Sequence, residues 1–279
     1  MLKNTFCHIP GVGVRTESRL WSLGLHSWDN ILNKGFPVLS PPARSSLSAF
    51  VRESIKELNN GNSIFFAERL PTAEHWRLFA DFRDSVAYVD IETTGLRPSL
   101  STITTIALYD GHDVRYYVYD RNLDDFIDEL SRYKLIVTYN GKCFDIPFIE
   151  SFFDVEVDAA HIDLRYVLRS LGYKGGLKGC EKQMGIDRGD LDGVDGYFAV
   201  LLWNEFLEED NEKALETLLA YNIEDVVNLE RLMVMAYNMK LKRTPFLASH
   251  QFDPPKSPPL PFSPDPDTIR TIREKYYLR

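Results

Sequence analysis

Two acidic residues lie close together in a segment that has the composition of a β-strand, Val86-Ala87-Tyr88-Val89-Asp90-Ile91-Glu92. Because side chains alternate between the faces of a strand, Asp90 and Glu92 share one face and lie ~7 Å apart along the strand. Two carboxylates this close repel each other, and a bound cation would relieve the repulsion. The alternative is an edge strand with one solvent-exposed face, on which the pair needs no ligand.

A second pair lies on a long predicted helix that runs from Glu212 to about Leu241. Tyr221 and Asp225 are one turn apart, so their side chains are neighbours. Asp225 interrupts an apolar stripe at helical spacing, formed by Leu218, Leu229, Leu232 and Ala236. A buried carboxylate needs a metal ion, an arginine or a hydrogen-bond network, and a position at the edge of the stripe is the remaining alternative. Glu224 is expected to face water.

A third group follows a predicted strand and opens an apolar helix, in the run Tyr139-Asn140-Gly141-Lys142-Cys143-Phe144-Asp145-Ile146-Pro147-Phe148-Ile149. Asn140 and Asp145 can both face the C-terminal end of that strand. Helix capping is the alternative for Asp145, because aspartate is favoured at helix N-termini and Pro147 suits a first helical turn.

The charge of the chain is unevenly distributed along its 279 residues. Residues 1–82 carry a net charge of +2, residues 83–243 one of −12 and residues 244–279 one of +1. An acidic middle argues against a module that merely coats nucleic acid, which would show a basic footprint. It is compatible with an enzyme whose clustered carboxylates hold divalent cations.

Composition also favours a cytoplasmic protein. No apolar run approaches the ~20 residues of a membrane span, and the first residues lack the apolar stretch of a signal peptide. The three cysteines are far apart and form no CxxC pair, so neither a disulfide framework nor a zinc site is predicted. We therefore expect a reducing, cytoplasmic location and no membrane partner.

The elements that must position these residues alternate between strand and helix. Strands are predicted at Val86–Thr93, Thr102–Tyr109, Val114–Tyr119 and Leu135–Tyr139, a hairpin turn at Asp110-Gly111 and a helix at Asn122–Tyr133, after which helical patterns dominate. By analogy, this order predicts an α/β fold with a ribonuclease-H-like mixed sheet flanked by helices and a small helical N-terminal region.

Three zones are predicted along the chain. Residues 1–82 form a helical region, residues 83–243 the α/β domain, and residues 244–279 a proline-rich arm with a short helix from Asp267 to about Tyr277, capped by Asp267 or Thr268. In the first zone, Ile9-Pro10-Gly11-Val12-Gly13 and the helices after it resemble a helix-hairpin-helix element that contacts DNA phosphates. An ordinary glycine turn between helices is the alternative.

The three acidic groups together resemble the exonuclease motifs of the DEDD superfamily. Asp90-x-Glu92, Asn140-x3-Phe144-Asp145 and Tyr221-x3-Asp225 match in order and in position, and the run Asp90-Ile91-Glu92-Thr93-Thr94-Gly95-Leu96 is especially characteristic. Since the last motif has Tyr221, and Ala220 stands where a histidine would lie, the chain resembles the DEDDy branch. Later segments such as His161-Ile162-Asp163-Leu164 and Leu177-Lys178-Gly179-Cys180-Glu181 resemble YprB-type ribonuclease-H-like proteins.

The resemblance implies a 3′–5′ exonuclease that hydrolyses phosphodiester bonds of DNA or RNA with two Mg²⁺ or Mn²⁺ ions. Asp90 would be shared by both ions, Glu92 and Asp225 would complete one site, and Asp145 would hold the second ion. Tyr221 would orient the attacking water. A phenol is a poor base at its ordinary pKa of ~10, so the metal must do most of the acidification.

Substrate contacts are assigned to five residues, Thr93, Leu96, Asn140, Lys142 and Lys178. The resemblance places Leu96 against the terminal base, with core packing as the alternative. Asn140 contacts the sugar-phosphate or caps a turn, and the two lysines contact phosphates or are simply solvated. Asp163 precedes an apolar helical run and is predicted to be its N-cap, so neither it nor His161 is assigned to the metal site.

Two other function classes remain open from the sequence. One is a catalytically silent scaffold that binds nucleic acid, which need not retain all five of the catalytic residues. The other is an endonuclease of the wider ribonuclease-H-like class. The sequence does not decide between DNA and RNA or between single and double strands.

Overall fold

Helices surround a single described sheet in the computed structural model, which describes residues 1–34, 41–191 and 193–276. In this part of the chain the α-helices are α1 (Val14–Ser22), α2 (Trp28–Lys34), α3 (Pro41–Asn59), α4 (Ser63–Arg69), α5 (Phe79–Phe82), α6 (Phe126–Leu130), α7 (Asp145–Phe153), α8 (Leu164–Leu171), α9 (Gly176–Gln183), α10 (Gly196–Glu209), α11 (Glu212–Leu241), α12 (Leu247–His250) and α13 (Pro266–Tyr276). Short 3₁₀ helices cover Leu2–Asn4, Thr72–Leu78, Arg83–Ser85, Leu123–Asp125 and Gly189–Leu191.

The sheet is mixed, with strands β1 (Val86–Thr93), β2 (Ile103–Tyr109), β3 (Val114–Val118), β4 (Leu135–Thr138) and β5 (Ala160–Asp163). Their spatial order is β3-β2-β1-β4-β5. The first three strands pair antiparallel, while β4 pairs parallel to β1 and β5 pairs parallel to β4. The predicted fold class is therefore confirmed.

The first four strands agree with their sequence patterns. β1 has its predicted bounds, and the other three differ from prediction by one residue at one end. The hairpin turn passes through Gly111, whose φ of 91° is readily adopted by glycine. The helix predicted at Asn122–Tyr133 is shorter, because it begins as the 3₁₀ segment Leu123–Asp125 and ends at Leu130.

The fifth strand was not predicted, and it lies in the part of the chain where helical patterns dominate. β5 has only four residues, and its last residue, Asp163, already caps the following helix. A strand this short shows too little alternation to be recognised by its period. β4 pairs with its backbone, and α4 and the Thr72–Leu78 helix pack against it, which the local sequence does not reveal.

Each face of β1 packs against different helices. Ala87, Val89 and Ile91 point into an apolar cluster shared with α6 and α7. Tyr88 points to the other face, where α11 packs across β1 and β2. Asp90 belongs to this second face by alternation, so the acidic residues of β1 are directed toward the long helix.

The N-terminal region contributes to the same core as the sheet. One continuous cluster of buried apolar residues includes Met1, the residues under α11 and Ile272 of α13. Arg77, only 2% exposed, makes ion pairs of 2.8 Å with Glu17 and Glu74. The boundaries at residues 82 and 243 remain a prediction. The Ile9–Gly13 segment forms a turn in which Gly11 has a φ of 81°, and α1 and α2 follow it.

The C-terminal segment contains a helix whose cap differs from prediction. Asp265, not Asp267 or Thr268, accepts hydrogen bonds from the backbone N–H and the hydroxyl of Thr268. Pro266 then occupies the first helical position, which its fixed φ favours. The predicted end at Tyr277 lies outside the described residues. Among the helices that the structure describes, none is both long enough and apolar enough to cross a membrane.

Candidate active site

Three carboxylates meet where α11 crosses β1. Oxygen atoms of Asp90, Glu92 and Asp225 all lie within 4.8 Å of one another. The strand period places Asp90 and Glu92 on one face of β1, as predicted. The apolar stripe of α11 packs against this face, so Asp225 lies beside them. The ladder between β1 and β2 shifts its register between Glu92 and Thr93, and such irregularities re-aim side chains near functional sites.

Asp145 stands beside this cluster, as the first residue of α7, and is 3% exposed. Burial, together with the smaller effect of the charges of Asp163 and Asp225, raises the pKa of Asp145 to about 7. Backbone N–H groups of Asp145 itself and of Ile91 oppose the shift. Asp145 thus interacts electrostatically with the cluster, although its oxygens are not part of the 4.8 Å group.

The cluster suits a hard divalent cation. Burial raises the pKa of Asp90 and of Glu92 well above the ordinary range, and the charge of Asp225 is the next largest cause for both. A divalent cation would offset this repulsion, and oxygen ligands of this kind suit Mg²⁺ or Mn²⁺. The donor set therefore fits the predicted type of metal.

Asn222 holds Asp90 in place, a role that no sequence pattern indicated. Its side-chain N–H₂ donates to the Asp90 carboxylate at 2.7 Å and to the Asp90 carbonyl at 3.1 Å. Its carbonyl oxygen accepts a 3.0 Å hydrogen bond from the Thr105 hydroxyl. The only available signal was a polar residue at a position of α11 that proves fully buried.

Arg188 provides Asp225 with a cationic partner that no sequence pattern indicated. One guanidinium nitrogen pairs with Asp225, and another bonds Glu181 at 2.8 Å. One of the alternatives for Asp225, a buried ion pair, is therefore present. Arg188 is in a loop between α9 and α10, where no periodic pattern distinguishes a buried arginine from a solvated one.

Tyr221 and Lys178 lie beside the three carboxylates. Tyr221 is 4% exposed, and the Lys178 ammonium nitrogen is 4.5 Å from the centre of its ring. Burial, followed by the charge of Asp225, raises the pKa of Tyr221 well above its ordinary value. The Lys178 ammonium also donates to the Val194 carbonyl. Lys178 is therefore tethered next to the site rather than freely solvated.

A cavity of about 450 Å³ opens onto the carboxylates, and we call it the carboxylate cavity. Asp90, Glu92, Asp145, Tyr221 and Asp225 line it together with Thr93, Thr94, Gly95, Leu96, Tyr139, Asn140, Phe144, Leu177, Gly196, Tyr197 and Val200. All five predicted catalytic residues thus face one space.

Three of the predicted substrate residues also line the carboxylate cavity. Leu96 is 84% exposed, so core packing does not explain it. The Thr93 hydroxyl donates to the Gly95 carbonyl at 2.6 Å and thereby shapes the turn that presents Leu96. Asn140 has a φ of 69°, and its side-chain oxygen accepts a hydrogen bond from Arg165.

Asp163 organises the loop between β4 and α7. As predicted, it caps α8 by accepting the Arg165 backbone N–H at 3.0 Å, and it also accepts the N–H groups of Asn140 and Lys142. The Lys142 side chain is not among the described residues that line the carboxylate cavity, and it lies within electrostatic range of His161. Burial lowers the pKa of His161 to about 3.

Comparison with known proteins identifies the family. A model described as the RNase_H superfamily matches residues 87–237, more than half of the chain. The chain belongs to the RNase_H superfamily. Membership favours nuclease chemistry at the carboxylate cavity, which lies within the matched residues.

Solved structures include a protein with a partly similar fold. A family B DNA polymerase from the hyperthermophilic archaeon Pyrobaculum calidifontis is 17% identical, with a TM-score of 0.44. The match covers 56% of this chain and 24% of the polymerase chain. No curated protein matches the sequence.

Proposed function

We propose that this RNase_H superfamily protein is a metal-dependent 3′–5′ exonuclease of the DEDDy type, related to YprB-like proteins, that hydrolyses DNA or RNA. The observation that carries the proposal is the convergence of Asp90, Glu92 and Asp225 within 4.8 Å in an open cavity. Asp145 and Tyr221 line the same cavity, which completes the predicted catalytic set.

Four side chains would hold two Mg²⁺ or Mn²⁺ ions. Asp90 would be shared, Glu92 and Asp225 would belong to one ion, and Asp145 would belong to the other. When bound, such ions acidify the attacking water and neutralise charge on the leaving oxygen. Asn222 keeps the Asp90 carboxylate aimed at the cavity through its 2.7 Å hydrogen bond.

Tyr221 would position the water without removing its proton. The raised pKa of this phenol keeps it protonated, so it offers a hydrogen-bond donor and an acceptor but no base. Leu96 would pack against the terminal base because it is exposed at the rim of the cavity. Thr93 and Asn140 would contact the terminal nucleotide, and Lys178 would offset phosphate charge beside Tyr221.

The test is incubation with 5′-labelled single-stranded DNA and RNA in Mg²⁺, Mn²⁺ or EDTA. We expect stepwise shortening from the 3′ end with either metal and none in EDTA. Asp90→Asn and Asp225→Asn should be inactive, because each removes a charge from the three-carboxylate group. Asp124→Asn, which changes an exposed aspartate of the Leu123–Asp125 turn, is the matched control and should retain full activity.

Circular single-stranded substrates distinguish the proposed exonuclease from the two alternatives, an endonuclease and a silent scaffold. An exonuclease leaves them intact, whereas an endonuclease opens them. A silent scaffold would bind linear strands and cleave neither form. Full activity in EDTA, or in a folded Asp90→Asn variant, would falsify the metal-dependent mechanism.

A further inference from the structure

A second cavity, of about 720 Å³, adjoins the carboxylate cavity. Tyr139 and Asn140 line both, so the two spaces meet just beyond the C-terminal end of β4. The remaining lining residues of the second cavity are Arg165, Arg169, Tyr173, Lys174, Gly175 and Gly176. We call this second cavity the basic groove.

The basic groove carries positive charge that the protein leaves uncompensated. Arg165 and Arg169 are one turn apart on α8, and Lys174 lies in the loop before α9. All three are exposed, and in the described part of the chain none forms an ion pair with a carboxylate. This concentration of cations lies within the stretch of sequence whose net charge is −12.

The rest of the groove lining suits a nucleic-acid strand. Tyr139 and Tyr173 contribute aromatic rings, and their hydroxyls contact the sulfur atoms of Cys180 and Met239 at 3.7 and 3.6 Å. Gly175 has a φ of 100° and leaves the backbone without a covering side chain. Cations that follow phosphates, combined with rings on which bases stack, are typical of single-strand binding sites.

We propose that the basic groove binds the single strand that lies 5′ to the bond being cleaved. Phosphates contact its three cations, and bases pack on its two tyrosine rings. The direction of the strand rests on the proposed function, because a 3′ end in the carboxylate cavity leaves the 5′ portion to continue past Asn140. The groove supplies attraction for a polyanion that the neighbouring carboxylates repel.

The experiment measures binding separately from cleavage. Fluorescence anisotropy with the full chain in EDTA follows labelled thymidine and uridine strands of about 20 nucleotides, longer than the ~4–16 that single-strand sites cover. The Arg169→Gln/Lys174→Gln variant removes two cations and leaves Arg165 bound to Asn140. Affinity is measured between about 50 and 200 mM salt, because the slope against salt counts phosphate contacts.

We expect the double variant to bind at least about tenfold more weakly, because it lacks two cations that contact phosphates. Its slope of log affinity against log salt should be shallower by about 1.4, which is about 0.7 for each lost contact. The matched control is Arg132→Gln/Lys134→Gln, which removes two exposed cations at the opposite end of β4 and should leave both quantities unchanged.

The two proposals fail in different ways. If the wild type cleaves nothing but the double variant still binds both strands more weakly, the proposed function fails and the groove assignment holds. If affinity and salt slope of the double variant equal those of the wild type for DNA and RNA alike, the groove assignment is overturned. An equal loss in the control pair also overturns it, because the effect would then be one of overall charge.

Discussion

At the scale of single residues, the two key aspartates are held by partners on different elements. Asn222 fixes Asp90 from the next position after Tyr221, and Arg188 fixes Asp225 from a loop. Sequence patterns located the carboxylates because strand alternation and helical spacing place them. They could not locate the partners, because a hydrogen bond between two elements depends on tertiary packing and corresponds to no characteristic spacing in the sequence.

The Tyr221 hydroxyl provides the first prediction. Tyr221→Phe removes one oxygen from a residue that is 4% exposed and keeps the ring that packs in the core. If the phenol positions water, turnover should fall by roughly 10²–10⁴, the contribution typical of general acid–base groups. Metal affinity should barely change, because all four carboxylates remain. The measurement is turnover of single-stranded DNA across Mn²⁺ concentrations, and full recovery at high Mn²⁺ would assign the phenol to metal binding instead.

Arg188 provides the second prediction. Arg188→Met leaves Asp225 and Glu181 buried without their cation, and loss of one partner of a buried ion pair costs about 3–5 kcal/mol. In EDTA we expect the free energy of unfolding to fall by that amount. Mn²⁺ should stabilise the variant more than the wild type, because a cation at the carboxylates replaces part of the lost charge.

Denaturant titrations with and without Mn²⁺ measure both effects. Arg121→Met is the matched control, because its ion pair with Glu212 is exposed and such pairs contribute about 0–1 kcal/mol. Equal losses in the two variants would show that burial of Arg188 does not determine its contribution to stability.

At the scale of elements, a strand or helix could be predicted only where its periodic sequence pattern repeats several times. The eight residues of β1 and the thirty of α11 repeat their periods often enough to fix both ends. β5 has four residues and no period to detect, so it was missed. The loop from β4 to α7 was correctly predicted as a strand-to-helix turn, but its anchoring by Asp163 depends on pairing with that undetected strand.

The same loop provides the third prediction. A Cβ atom added at Gly141 would overlap the Thr138 hydroxyl oxygen and would lie 2.7 Å from the Thr138 Cβ atom. Gly141→Ala must therefore displace the Thr138 side chain or the loop, and we expect the free energy of unfolding to fall by about 1–3 kcal/mol, as for overpacked cores. Gly196→Ala adds the same atom with nothing within 4 Å and should change stability by less than about 0.5 kcal/mol. Thermal or denaturant unfolding compares the pair, and similar stabilities would contradict the overlap.

At the scale of the whole molecule, the helical N-terminal region and the sheet share one apolar cluster. His8 lies 2% exposed inside this region, with ring centres of Trp28, Phe50 and Phe66 between 5.5 and 5.8 Å away. These three aromatic residues belong to α2, α3 and α4. The sequence patterns could not show that this core crosses the predicted boundary at residue 82, because contacts between distant segments leave no local pattern.

The fourth prediction uses His8 to test whether that shared core unfolds as one unit. Burial, followed by the charges of Arg77 and Arg69, lowers the pKa of His8 from 6.5 to about 3. The unfolded chain takes up this proton as pH falls below 6.5 and the folded chain does not. The free energy of unfolding therefore keeps its full value above pH 6.5. Between pH 6.5 and pH 3 it falls by about 1.4 kcal/mol per pH unit, because only the unfolded chain binds the proton.

His8→Gln retains a side chain that can bond the Ser54 hydroxyl, 2.9 Å from the His8 ring nitrogen, but it cannot titrate. Between pH 7.5 and 5 the wild type should lose about 2 kcal/mol more free energy of unfolding than this variant. His112→Gln, at an exposed position, should follow the wild type. Because the cluster is continuous, tryptophan fluorescence and far-ultraviolet circular dichroism should report one coincident transition at each pH. The fluorescence transition could instead precede the circular dichroism transition and alone carry the loss of stability at low pH. The N-terminal region would then unfold separately, and the continuous core would not act as a cooperative unit.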